Sequence, residues 1–157
     1  MTPPPFQRLL DQHADAVLRF CVAHAGPHDG EDVFQETVVA ALRAYPRLRH
    51  TDNLKGWLLT IAANKALDHH RGRARRAVPV EDPDPAPATA EPEVLPDDGL
   101  WRAVRGLPDK QRGAVLLRFV GDLSHREIAA ALGSSEQAAR RSLADGLATL
   151  RKEWIPA

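Results

Sequence analysis

Between residues 6 and 24, apolar side chains at Leu9, Leu10, Ala14, Val17, Leu18, Cys21 and Val22 recur at helical spacing, predicting an amphipathic helix that stops before Gly26 and Pro27. A second helix is predicted from about Glu31 to Ala44. Its apolar positions are Phe34, Thr37, Val38, Ala41, Leu42 and Tyr45, which leaves Asp32, Gln35, Glu36 and Arg43 on other faces. Asp29, Glu31 and Asp32 suit the positive end of that helix's dipole. Pro46 breaks the pattern, and Arg47 to Asn53 form a polar loop. A third helix follows from about Leu54 to Arg76, with Trp57, Leu58, Ile61, Ala62 and Leu67 on its buried side. Leu100 to Arg105 and Lys110 to Val120 predict two more helices, the second with Val115, Leu116, Phe119 and Val120 inward.

Residues 124–151 predict a pair of helices joined by a tight turn. Ser124 and Glu127 stand at capping-box spacing, Ile128, Ala129 and Leu132 share a face, and Gly133 is placed to end the helix in a left-handed conformation. Ser134 and Gln137 repeat the capping pattern, and Ala138, Leu143, Leu147, Leu150 and Trp154 give the next helix an apolar stripe. This is helix-turn-helix spacing, in which the second helix lies in a major groove. Its leading residues would be Ser135, Glu136, Gln137, Arg140 and Arg141, of which Gln suits an adenine edge and Arg a guanine edge or a phosphate. An ordinary antiparallel helix pair fits the same pattern, and the pattern alone leaves both readings open.

Charge divides the chain in a way its net value of zero conceals. Residues 1–77 carry 11 Lys and Arg against 8 Asp and Glu, residues 78–99 carry none against 7, and residues 100–157 carry 10 against 6. The acidic middle holds six prolines between Ala77 and Asp98, so it cannot sustain a helix and reads as an extended linker. The third helix ends in Lys65, His69, His70, Arg71, Arg73, Arg75 and Arg76. Such a run either neutralises a helix C-terminus or tracks a phosphate backbone.

Several classes of chemistry lose support. The single cysteine, Cys21, sits in an apolar pattern and is expected to be a buried thiol. His13, His24 and His28 have no ligand partners at metal spacing and are expected at the surface or its boundary, while the adjacent His69 and His70 point to different helix faces. There is no HExxH, GxSxG, phosphate-cradling glycine loop or cysteine pair, so no enzyme, cofactor or metal is expected. No signal peptide or membrane span is evident, and a cytoplasmic location is expected. Trp101 and Trp154 are expected in the core or at its edge.

The order of these segments resembles the two-domain sigma factors of bacterial RNA polymerase in the extracytoplasmic-function (ECF) group. EDVFQETVVAALRAY (31–45) is similar to that family's core-binding helix, LKGWLLTIAANKALDHHRGRARR (54–76) to its promoter-melting helix, and LPDKQRGAVLLRFVGDLSHREIAAALGSSEQAARRSL (107–143) to its upstream-element domain. The resemblance implies an all-α chain of two small helical domains, 1–76 and 99–157, joined by the Pro-rich acidic linker 77–98. It implies core RNA polymerase, promoter DNA and an anti-sigma factor as partners. Asp32, Gln35 and Glu36 would then contact polymerase. Arg47, Arg49, Asn53, Asn64, Lys65, His69, Arg71, Arg73, Arg75 and Arg76 would serve the minus-ten element, by capture of an unstacked base. Ser135, Glu136, Gln137, Arg140 and Arg141 would serve the minus-thirty-five element. Asn64 and Asp68 lie one helical turn apart, and bonding between them is an alternative to a DNA role. Where relatives carry basic residues later in the recognition helix, this chain has Ala144, Asp145 and Gly146, so upstream affinity is expected to rest on Gln137, Arg140 and Arg141. Gly146 is also expected to weaken that helix by about 1 kcal/mol relative to alanine. A sigma-like adaptor and an autonomous helix-turn-helix regulator are the alternative functions.

Overall fold

The computed structural model describes residues 5–49, 53–76 and 99–154, the side chains of 73–76 and 153–154 excepted. The linker expected over 77–98 lies outside the described residues, as do the side chains of Arg73, Arg75, Arg76 and Trp154. Seven α-helices follow in order: α1 (Phe6–Ala25), α2 (Pro27–Ala44), α3 (Leu54–Arg76), α4 (Gly99–Arg105), α5 (Asp109–Phe119), α6 (His125–Leu132) and α7 (Glu136–Trp154). The described residues contain no strand, and the all-α expectation holds.

In the first half, α1, α2 and α3 pack against one another pairwise. Gly26 takes φ 95° between α1 and α2, a conformation glycine adopts without a Cβ penalty, and its N–H donates to Val22 O at 2.8 Å. Pro27 then occupies the first turn of α2, where a missing N–H costs nothing, so α2 starts four residues earlier than its apolar pattern suggested. Pro46 tightens the chain into a 3-10 turn (Tyr45–Arg47) closed by Leu48 N–H on Tyr45 O. The core gathers Leu9, Val17, Phe20 and Cys21 of α1 with Val33, Thr37 and Ala41 of α2 and Leu58, Leu59, Ala62 and Ala66 of α3. The Thr37 hydroxyl donates to Val33 O at 2.7 Å. Burial pushes the Cys21 thiol up to about 12, so it is the inert thiol expected. Leu42 departs from its expected place. It is 55% exposed because α2 turns its Val33, Thr37 and Ala41 stripe inward, one position away.

In the second half, α5 is the central helix, and residues 112–117 are all buried. Phe119, expected inward, is 65% exposed at the end of α5. The neighbouring helices cover α5 along 112–117 and leave its final residue, Phe119, bare. Arg112 is 5% exposed; its Nη2 donates to Leu107 O at 2.9 Å and lies 3.6 Å from Asp109 Oδ1. The Ser124/Glu127 capping box forms, with Glu127 N–H on Ser124 Oγ at 3.2 Å and Ser124 N–H on Glu127 Oε1 at 3.0 Å. Gly133 stops α6 in the left-handed region at φ 65°. The second cap falls on Ser135, whose Oγ accepts the Ala138 N–H at 3.0 Å, and the Ser134 hydroxyl donates to Ser135 O instead. That one-residue shift turns Ala138 outward and Ala139 inward, with Leu143, Gly146 and Leu150 completing the buried stripe of α7.

Gly146 therefore has a packing role. A Cβ there would lie 2.8 Å from Val115 Cγ2 and 3.4 Å from Gln111 O, so the missing side chain lets α7 approach α5. Gly146→Ala would gain about 1 kcal/mol of helix propensity but incur overpacking of about 1–3 kcal/mol. A lower midpoint in thermal unfolding is the expected result, and a higher one would return Gly146 to being a simple weak point.

The two halves also pack on each other. α3 lies against α5 and α6, α1 against α4 and α5, and the buried hydrophobic residues of both halves form one cluster. A Cβ at Gly121, after α5, would lie 2.9 Å from Leu59 Cδ1 of α3.

Candidate nucleic-acid interface

The first turns of α7 present Ser135, Glu136, Gln137, Arg140 and Arg141, all exposed. The Gly133 stop and the Ser135 cap fix the angle between α6 and α7, while Ala139 and Leu143 hold α7 on the core. These anchors make the exposed row a rigid one. Arg140 Nη2 sits 3.0 Å from Glu136 Oε1, an exposed i,i+4 pair. Such a pair contributes only about 0.3–0.5 kcal/mol, so a phosphate or a guanine edge can displace Glu136 at little cost. Ala144 and Asp145 are exposed beyond this row, and Gly146 faces away from it, into the core.

The residues expected at the minus-ten element stand differently. Arg47 and Arg49 are exposed before α3, and Lys65 is half-buried along it. Asn53 caps α3: its Oδ1 accepts the Gly56 N–H at 2.9 Å, and its Nδ2 donates to Glu127 Oε2 of α6. Glu127 is thus shared between its own capping box and Asn53. The backbone N–H of Ser124 is the main reason its carboxyl stays below the usual range, the Asn53 amide adding to it. Asn64 and Arg71 line a cavity of about 110 Å³ between the halves, together with His24 from α1 and Asp109 and Lys110 from α5. His69 Nε2 lies 3.8 Å from Asp29 of α2, and His70 Nε2 lies 3.6 Å from Asp109 of α5. Asn53, just before α3, and Asn64 and Arg71 along it are exposed, but they border the joint with the second half at separate points.

His24 overturns its expected surface placement. It is 4% exposed, because α5, a helix more than eighty residues away in sequence, covers the end of α1. Burial first, and the Arg112 guanidinium second, push the imidazole down to about 4, so it is neutral at pH 7. Its Nδ1 is buried with no hydrogen-bond partner. Helix periodicity assigns a position to a face of its own helix and carries no information on which distant helix covers that face.

Asp32, Gln35 and Glu36 are exposed on α2, as expected. Two residues missed by the sequence reading join them at helical spacing, Val39 at 48% and Leu42 at 55% exposed. An acidic and apolar row is the result. Its signal was present as a second stripe, Asp32, Gln35 or Glu36, Val39, Leu42, offset from the buried one.

Residues 9–76 match the family described as Sigma-70 region 2, and residues 98–150 match Sigma-70, region 4. The ECF RNA polymerase sigma factor SigD of Mycobacterium tuberculosis is 35% identical to this chain, over 96% of it and 77% of SigD. The ECF RNA polymerase sigma factor SigE of Mycolicibacterium smegmatis is also 35% identical, over 94% of this chain but only 61% of SigE. Among solved structures, the sigma factor RpoE of Bartonella quintana, in complex with the anti-sigma factor NepR, aligns with a TM-score of 0.78 at 23% identity, covering 96% of this chain and 98% of RpoE. CnrH, in complex with the cytosolic domain of CnrY, aligns at 0.65 and 22% identity, covering 94% of this chain and 86% of CnrH. At these identities the two structures establish a common fold. With both sigma regions matched in order on the helices just described, the chain belongs to the ECF RNA polymerase sigma factors, transcription initiation factors that direct RNA polymerase to promoters.

Proposed function

We propose that residues 1–76 bind core RNA polymerase through the exposed row of α2 and engage the minus-ten element through α3 and the loop before it. Residues 99–157 then hold the minus-thirty-five element on the first turns of α7, with 77–98 as the tether. The observation that carries this reading is the exposed row Ser135, Glu136, Gln137, Arg140 and Arg141 on a helix fixed by a left-handed glycine stop and a serine cap. A tethered pair of modules gains by avidity, since each weak contact raises the effective concentration of the other at the promoter. The protein acts in the cytoplasm, where polymerase and promoters are, and its role is binding rather than catalysis. No helix among the described residues is long and apolar enough to cross a membrane. An anti-sigma partner fits this reading, because a solved protein of the same fold, RpoE, is bound by the anti-sigma factor NepR.

Run-off transcription with purified core polymerase on a pool of promoter fragments tests the whole reading. Discrete transcripts that depend on the protein are expected. Co-elution with polymerase but no transcript would leave an adaptor, and no co-elution would overturn the reading. On a promoter so identified, Arg141→Ala should weaken upstream binding by about 1–3 kcal/mol if it reads a base. A loss confined to the cognate site indicates base reading, whereas a loss equal across sequences, with a shallower salt dependence, makes it a phosphate contact.

A further inference from the structure

His24 lies under the joint between the halves, in a setting that disfavours a further positive charge chiefly through burial. From α5 it faces Arg112 and Asp109, and from α3 it faces His70. The cavity beside it adds Arg71 of α3 and Lys110 of α5, and Arg105 of α4 lies against the neighbouring Gly26. Asp29 of α2 is near His69 at 3.8 Å. Asp109 is already shared, 3.6 Å from both His70 and Arg112. A charged His24 would therefore have to share Asp109 with both of them, beside the buried Arg112 guanidinium. The same joint holds Asn53 to Glu127 and has Asn64 and Arg71 at the cavity wall, Asn53, Asn64 and Arg71 all remaining exposed.

We propose that His24 is a proton-operated release of this joint: in acid it takes up a proton, and α4–α7 separate from α1–α3. Opposing groups are weaker. Protonated His70 would attract Asp109 more strongly, but His70 is half exposed and solvent screens that pair. His24 is buried, and with its imidazole held at about 4 against the ordinary 6.5, the open form gains on the order of a hundredfold between those pH values. The sign follows from the depressed value: the closed form is fully favoured above pH 6.5 and loses ground as the pH falls toward 4. The release does not depend on the proposed promoter roles.

Small-angle scattering of the full chain between pH 7.5 and 4.5, with circular dichroism on the same samples, tests it. The wild type is expected to expand from a radius of gyration of about 15 Å as the pH falls below 6.5 while its helix signal is retained, and His24→Gln is expected to stay closed. A wild type that stays closed, that loses its helices as it expands, or that opens at the same pH as His24→Gln overturns the proposal. If His24→Gln does not fold, His24→Phe decides, since it keeps a neutral ring packed beside Phe20: it is expected to stay closed over the same range, and opening at the wild-type pH overturns the proposal.

Discussion

Gly30→Ala is expected to destabilise the protein by about 3 kcal/mol, at the upper end for overpacking. A Cβ on Gly30 would lie 2.6 Å from Val22 Cα and 2.9 Å from both Val22 N and Val22 Cγ2. Two of these atoms are backbone and cannot rotate aside, so α1 and α2 must separate and loosen the packing of Val33 and Phe20. Alanine ordinarily favours a helix over glycine by about 1 kcal/mol, and this gain is the smaller term. The predicted sign is opposite to the propensity scale. Urea unfolding measures it, with Gly106→Ala as the comparison, because a Cβ there would approach only carbonyl oxygens at 3.5 Å. Gly106→Ala is expected to stay within about 0.5 kcal/mol of the wild type. Equal losses for the two variants would mean that the contact of α1 with α2 at Gly30 is not the cause.

Leu42→Asp is the second large effect, and it falls on activity rather than stability. Leu42 is 55% exposed, so the folded chain loses little when it is replaced. A change in stability within about 0.5 kcal/mol is typical at such a surface position. Polymerase binding should fall by about 2 kcal/mol or more, roughly 30-fold in affinity, because an apolar anchor central to an interface becomes a buried, unpaired carboxylate. Val39 stands one turn away on the same row and is expected to behave alike. Titration of labelled protein against core polymerase reads the affinity, and thermal unfolding confirms that the fold is kept. Unchanged affinity for both variants would remove the α2 row from the polymerase interface.

Local signals were legible in the sequence where the interacting groups lie within four residues. The Ser124/Glu127 box, the Gly133 stop and the extent of α3 are all set by hydrogen bonds that close within one turn. The cap at Ser135 shows the limit of that kind of reading. Two adjacent serines offer the same chemistry, and the choice between them decided whether Ala138 or Ala139 faced the core. Leu42 and Phe119 were misplaced for another reason. An apolar side chain states a preference for burial, but only the presence of a covering helix satisfies it. The candidate site divides along the same line. The α7 row was readable because it lies on one face of one helix, whereas the setting of Asn53, Asn64 and Arg71 depends on α5 and α6.

What the sequence by itself determined is the order and type of the helices, the acidic Pro-rich interval between two basic halves, and the helix-turn-helix with its leading polar residues. Those properties follow from backbone hydrogen bonding, side-chain periodicity and net charge, each of which acts along a short stretch of chain. Tertiary structure alone decided that Gly30 and Gly146 are points of close helix approach, that Glu127 is tied to Asn53, and that His24 is buried against Arg112 and Asp109. Each of these rests on groups brought together from separate helices by the shared burial of apolar surface, and that force is non-directional. It specifies that helices pack, while side-chain shape and the gaps left by missing Cβ atoms select which ones meet.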